Sequence, residues 1–294
     1  MAAATASPKV DCLFHDATWT CTFIVADEAT KKCMIIDSAM DFDPASGRTG
    51  NEHNDKVCAL VAEKGYDVAY IAETHVHADH LTGANYLKEK FPAAKTIIGS
   101  RVVEVQKLFK GVFNIGDEDL KADGSAFDML LEDEQVLPLG SINVRVMHTP
   151  GHTPACVSYV VGDALFCGDT VFLPDFGSAR CDFPSGDAKA LYTSVTTKLF
   201  SLPDETRVFV GHDYAPGGRP IAWESTIGDE KAKNKHLHTG VTEAEFVDMR
   251  TTRDSTLAAP KLILPSLQVN LRNGKLPTPE SNGVSYLKIP LNKL

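Results

Sequence analysis

The sequence predicts a mixed α/β (α+β) fold, a four-layer αββα sandwich with metal ligands on loops at one edge and a helical and extended elaboration at the C-terminus. Three observations predict it. The chain reads as two strand-rich halves, each accompanied by segments of helical periodicity. Most of the strand-like runs are short, apolar and separated by glycine-bearing turns, as in a meander. Four groups of histidine and aspartate each stand just past an apolar run, where side chains leave a sheet edge. With 294 residues, 43% of them apolar, the chain is long enough to bury a full core.

Residues 10–15, 18–25 and 33–37 read as strands from their β-branched and apolar content, with turn chemistry at Asp27-Glu28-Ala29-Thr30-Lys31. A loop with Asp41, Asp43, Pro44, Gly47 and Gly50 follows. Residues 55–63 carry Val57, Leu60 and Val61 at helical spacing and end near Gly65. A strand through 68–72 then feeds a histidine-rich stretch. Helices are expected over 81–91 and 102–109, a strand over 96–99, and no clear element over 114–128. The second meander comprises runs at 135–139, 142–147, 156–161 and 164–167. Residues 187–200 read as a helix that returns the chain to a strand at 207–210. Past Pro220, helical character lies over 229–237 and 242–252, the latter opened by the capping box Thr242-Glu243-Ala244-Glu245. The apolar runs 262–269 and 284–291 are expected to pack on the core or on a second subunit.

The chemistry is concentrated in residues 74–80, Thr-His-Val-His-Ala-Asp-His, which place three imidazoles and a carboxylate on a loop leaving a strand. Neutral imidazole and carboxylate are ligands for first-row metals. Thr149-Pro150-Gly151-His152-Thr153, Gly168-Asp169 and Gly211-His212-Asp213 occupy the ends of later strands. Singly, His152 or His212 reads as a hydrogen-bonded structural histidine; together with the first loop they read as one shared metal site. His236 and His238 read as surface or hinge residues.

These motifs, HxHxDH at 75–80, TPGHT at 149–153, GD at 168–169 and GHD at 211–213, resemble those of the metallo-β-lactamase superfamily. The segments ASGRTG (45–50), ETHVHADHLTGA (73–84), HTPGHTPACVSYVVGD (148–163) and GDTVFLPDFGSARCDFP (168–184), with the tail LILPSLQVN…NGVSYLKIPLN, resemble the glutathione persulfide dioxygenases of the longer, C-terminally extended branch. That resemblance implies oxidation of glutathione persulfide with O2 and water to sulfite and glutathione. It implies one non-haem Fe(II) per chain on His75, His152 and Asp169, two imidazoles and a carboxylate that leave positions open for sulfur and dioxygen. His77, Asp79, His80 and His212 would then hydrogen-bond around that iron. Ligand counting alone favours the alternative, two zinc ions in a thioester hydrolase of the glyoxalase II kind, with those four residues holding the second metal.

For the substrate, two carboxylates call for local cations, and arginine's planar fork suits them. Arg180 matches an arginine of the shorter dioxygenases, with an internal salt bridge to Asp182 as its other reading. Tyr214 is a candidate hydroxyl donor to substrate or metal-bound group, and Arg219 a further pocket candidate.

Net charge of −10 and a pI near 5.4 argue against nucleic acid or an anionic membrane as partner. Seven cysteines with no CxxC pair imply reduced, buried thiols, with Cys167 and Cys181 the candidates for reactivity because they flank the site. No apolar run reaches 18 residues. The expected organisation is a loose tail over 1–9, a catalytic domain over 10–215, and an extension over 216–294 packed on it, in a homodimer. The N-terminus lacks a secretory pattern, which implies the cytoplasm, or the mitochondrion in a eukaryote.

Overall fold

The computed structural model describes residues 7–293; residues 1–6 of the expected tail lie outside them. Two six-stranded sheets pack face to face. The first has the order β1(Lys9–His15), β2(Thr20–Ala26), β3(Lys32–Ile36), β6(Asp67–Ala72), β8(Lys95–Gly99), β9(Met129–Leu131). The second runs β10(Val136–Leu139), β11(Ile142–His148), β12(Val157–Val161), β13(Ala164–Phe166), β14(Arg207–Phe209), β15(Glu224–Thr226). β4(Ala39–Asp43), β5(Arg48–Gly50) and β7(Leu81–Thr82) form a small third sheet.

Strand alternation sorts the side chains into layers. Phe23, Val25, Met34 and Ile36 point inward from the first sheet and meet Val144, Val146, Tyr159 and Phe166 of the second. Their neighbours Ile24, Ile35 and Ile71 point outward, against Val57 and Val61 of α1(Glu52–Lys64) and Leu87 of α2(Ala84–Lys90). α3(Val102–Phe113) covers the same face through Val105 and Phe109, packed with Ile98. Leu165, Val208 and Val210 carry the opposite outer layer, against Leu191 of α4(Ala188–Thr193) and Val195 and Leu199 beyond it. This is the expected αββα sandwich.

Several elements differ from the sequence reading. The polar 41–50 loop is a hairpin, turned by Asp43, whose carboxylate accepts from Ala45 N and Ser46 Oγ. Its tip and the return strand β5 are polar and exposed, and β4 is buried only at Ala39 and Met40, so residues 41–50 carry too little apolar content to mark a strand. Helix α2 starts at Ala84 rather than 81 because Leu81–Thr82 pairs with Ala39–Met40. The helix over 187–200 becomes π-helical over Ser194–Lys198 and 3-10 over Leu199–Ser201 after an Asp187 cap. The three-residue strands β9 and β15 were too short to leave a pattern.

The C-terminal extension carries α5(Ile227–Lys233), α6(Glu243–Asp254) and α7(Ile263–Asn270). The Thr242 and Glu245 capping box opens α6 as its sequence implied. Residues 262–269 do pack inward as α7, but 284–291 form no regular element. Val284, Tyr286, Ile289 and Leu291 there are 47–79% exposed, while Leu287 packs against the cluster of Met40, Leu81, Leu262 and Val269, so the segment lies on this chain's core through that side chain and leaves the others in solvent. No helix among the described residues is long and apolar enough to cross a membrane.

Glu230 on α5 is fully buried, and burial raises its carboxyl to about 7 despite hydrogen bonds from Asn234 and Ser225. The unfolded chain ionises near the ordinary glutamate value, so it releases its proton first and stability falls as pH rises from about 4.5 to about 7. Glu230→Gln is expected to flatten that slope, worth on the order of 3 kcal/mol across the window; urea titrations at pH 5 and pH 8 check it.

Candidate metal centre

All four ligand groups converge where strands of the two sheets end. Thr74–His80 follow β6, His152 lies between β11 and β12, Asp169 follows β13, and His212 follows β14. Two glycines permit the approach: a Cβ on Gly151 (φ +147°) would lie 2.4 Å from Leu191 Cα, and one on Gly168 (φ +50°) 2.3 Å from Thr74 Oγ1.

Each imidazole is anchored at one ring nitrogen and presents the other. His152 Nδ1 donates to the Arg180 carbonyl at 2.8 Å. Thr74 Oγ1 donates to Asp37 Oδ2 at 2.7 Å and accepts from His75 Nδ1 at 3.0 Å. His212 Nδ1 donates to the Trp19 carbonyl at 3.2 Å. His77 Nε2 sits between Asp37 Oδ1 at 3.1 Å and Glu73 Oε2 at 3.0 Å. His80 Nδ1 faces Thr20 Oγ1 at 3.4 Å and Asp79 Oδ1 at 3.5 Å.

The presented atoms, His75 Nε2, His77 Nδ1, His80 Nε2, His212 Nε2, Asp79 Oδ2 and Asp169 Oδ1, are buried without a hydrogen-bond partner. His212 Nε2 and Asp79 Oδ2 are only 3.1 Å apart, yet neither has a hydrogen-bond partner among the described residues. So many buried polar atoms without a partner would be costly in a protein that bound nothing there. The donor set fits divalent metal, and it falls into two groups, His75, His152 and Asp169, and His77, Asp79, His80 and His212; a third cluster, Asp37, Glu73 and His77, gathers at the outer nitrogen of His77.

Electrostatics follow the same division. Burial, then the neighbouring His77 and His152, hold His75 well below its ordinary value, and burial with His77 lowers His80 to about 4, so both rings are neutral, the form that can ligate a metal. Burial opposes charge on His77, yet Asp37 and Glu73 hold it well above the usual range. Asp37 and Glu73 are the residues the sequence reading passed over. Asp37 ends an apolar strand as the metal residues do, and Glu73 precedes the HxHxDH motif, so position alone could have pointed to both.

A cavity of about 660 Å³ opens onto His152, Asp169 and Asp79. Trp19, Phe172, Phe176 and Tyr214 form its aromatic wall, and Tyr214 stacks on His212 with ring planes 12° apart. Trp19 is left-handed (φ +58°), a strained state for a bulky residue. Arg180 lines the cavity, but its guanidinium forks onto Asp182 and donates to the Ala258 carbonyl at 2.8 Å. Arg219 lies off the cavity lining, its donors spent on Asp175 and Asp213 in a structural clamp. Arg253 and Lys261, which the sequence reading did not single out, line the cavity and have no ion-pair partner among the described residues. His236, read as a surface or hinge residue, also lines it and accepts from Ser178 N at 3.0 Å. Burial pushes the Cys167 and Cys181 thiols up, so neither is a ready thiolate.

Arg250 and Asp254 of α6 form a buried pair that also holds residues 178–181, through Arg250 Nη1 to Ser178 O at 3.2 Å and Cys181 N to Asp254 Oδ2 at 2.7 Å. Asp254→Ala would strand the Arg250 charge and is expected to cost about 3–5 kcal/mol, measured by urea denaturation.

The sequence profile of the metallo-beta-lactamase superfamily matches residues 20–212. The chain belongs to this superfamily. Superfamily membership accounts for the sandwich and for ligands on strand-end loops. The chain is 50% identical to a probable metallo-hydrolase of Burkholderia pseudomallei (strain 1710b), over 97% of this chain and 99% of that one. It is also 50% identical to glyoxylase B2 of Dictyostelium discoideum, over 92% of each. Among solved structures, ETHE1 from Myxococcus xanthus superposes with a TM-score of 0.72 at 30% identity, covering 91% of this chain and all of that one. The human mitochondrial persulfide dioxygenase ETHE1 is 27% identical over 89% of this chain.

Proposed function

We propose that this superfamily member is a metal-dependent enzyme acting on the sulfur-linked group of a glutathione conjugate, and that its reaction is hydrolysis of a glutathione thioester at a two-metal centre. The observation that carries this is Asp169. Its Oδ2 faces His75 Nε2 at 4.0 Å and His152 Nε2 at 3.9 Å, while its Oδ1 faces His212 Nε2 at 3.4 Å, so one carboxylate looks into both ligand groups. The names of the relatives at 50% identity support the same class.

Two divalent cations held there supply Lewis acidity and a lowered pKa for bound water. The chain's residues do the rest. The Arg180, Trp19 and Thr74 acceptors hold a proton on the outer nitrogen of His152, His212 and His75, which turns the inner nitrogen to the site; Asp37 and Glu73 anchor the outer nitrogen of His77, whose inner nitrogen would give up its proton to the metal. The aromatic wall excludes water from the conjugate, and Arg253 and Lys261 receive its carboxylates. Tyr214, between His212 and the cavity, offers its hydroxyl to the substrate.

A second reading is favoured by one specific observation, the likeness to ETHE1 across the whole of that chain together with the dioxygenase-like sequence segments. In it, glutathione persulfide, O2 and water yield glutathione and sulfite with one Fe(II) on His75, His152 and Asp169. One experiment separates the two. Anaerobically purified protein is analysed for iron and zinc, then assayed for thiol release from a glutathione thioester and for O2 uptake with glutathione persulfide. Two metals per chain with oxygen-independent thioester cleavage support hydrolysis. One iron per chain with persulfide-dependent O2 uptake replaces it with the dioxygenase.

A further inference from the structure

The metal loop is held from outside the matched region, by the last helix of the chain. Residues 76–80 make no strand ladder, so their buried backbone groups need other partners. Asn270, the final residue of α7 and 3% exposed, supplies them. Its Nδ2 donates to the carbonyls of His77 and His80, both at 2.8 Å, and its Oδ1 accepts from Thr82 N at 2.8 Å. Both amide protons and the carbonyl of one side chain thus bracket the segment that carries His77, Asp79 and His80.

Packing enforces the same contact. The intervening residues Val76 and Ala78 pack in a cluster with Leu267 and Leu271, Ala78 also reaching the cavity lining. Beyond the helix, Gly274 (φ +82°) lets the chain pass where a Cβ would come within 2.9 Å of Asn85 N and 3.1 Å of Thr82 O. Gln106 of α3 ties the helix end down through the Leu271 carbonyl at 2.9 Å. The amide of Asn270 therefore has little freedom to move away from the loop.

We propose that Asn270 is a positioning residue that sets the backbone of the 77–80 metal loop from the C-terminal helix, and so sets metal affinity. It acts through the loop and touches no reacting atom. The inference rests on the metal-binding part of the proposed function and is indifferent to whether the chemistry is hydrolysis or oxidation.

The test uses the full chain, with zinc affinity measured by competition with a chromogenic chelator and the melting temperature of the metal-free protein measured alongside. Asn270→Ala is expected to weaken zinc binding about 10–100-fold, the usual consequence of losing an outer partner of a metal ligand. Val57→Ala, a cavity in the α1 layer where Val57 is fully buried, is the control. It should lower the melting temperature while leaving zinc affinity at the parent value. If Asn270→Ala does not fold, Asn270→Ser, which retains a hydroxyl donor, is measured in its place, with a smaller loss in the same direction. Zinc binding as tight as the parent's in the folded variant, or a loss no greater than that of Val57→Ala, overturns the proposal.

Discussion

Asp169→Ala is expected to abolish turnover, lowering kcat/KM by about 10³-fold or more, because it removes the one carboxylate that both ligand groups share. The same substitution should leave the fold intact. Asp169 Oδ1 is buried without a hydrogen-bond partner, and burial raises the carboxyl, so its removal relieves a desolvation cost in the metal-free chain. The two effects separate in a thermal melt. Metal-free Asp169→Ala should melt at or above the parent, while added metal should raise the parent's melting temperature and not the variant's. Elemental analysis and initial rates complete the measurement, and a variant that keeps its metal and its rate would remove Asp169 from the centre.

Asp79→Asn and His212→Ala probe the second ligand group, and here the two chemistries diverge. At a two-metal hydrolase each should drop metal content from two per chain to one and cost about 10³-fold in rate, since the lost cation helps generate the nucleophile. Around a single iron both residues only orient ligands, and the loss should be about 10–100-fold with metal content unchanged. The structure makes this group a demanding one to perturb. Asp79 Oδ2 and His212 Nε2 are 3.1 Å apart, with His212 raised by Asp79 and Asp169 against the effect of burial. Asp79→Asn keeps the shape and removes the charge, and His212→Ala removes the donor. Agreement between the two variants ties the outcome to the metal rather than to packing.

The candidate ligands were legible because metal binding would constrain residue type and position together. His75, His77, Asp79, His80, His152, Asp169 and His212 stand at strand ends in spacings that fold and chemistry both require. The same rule would have reached Asp37, at the end of an apolar strand, had carboxylates been sought there. Substrate residues were less legible. An arginine announces a cation but not whether that cation is free: Arg180 forks onto Asp182 and Arg219 onto Asp175 and Asp213, while Arg253 and Lys261, unremarkable in sequence, line the cavity with no ion-pair partner among the described residues.

By itself the sequence determined the layered architecture, from local periodicity and turn chemistry, and the candidate metal-binding residues that the fold brings together, from residue types that few other roles explain. Only the tertiary structure decided which nitrogen each histidine presents, because that depends on acceptors such as the Arg180 and Trp19 carbonyls, distant in the chain and carrying no side-chain signature. It likewise decided that Asn270 brackets the loop at residues 77–82 from 188 to 193 positions away. A side chain that hydrogen-bonds to backbone can do so from any sequence with the right approach, so the contact leaves no pattern to read until the helix is docked.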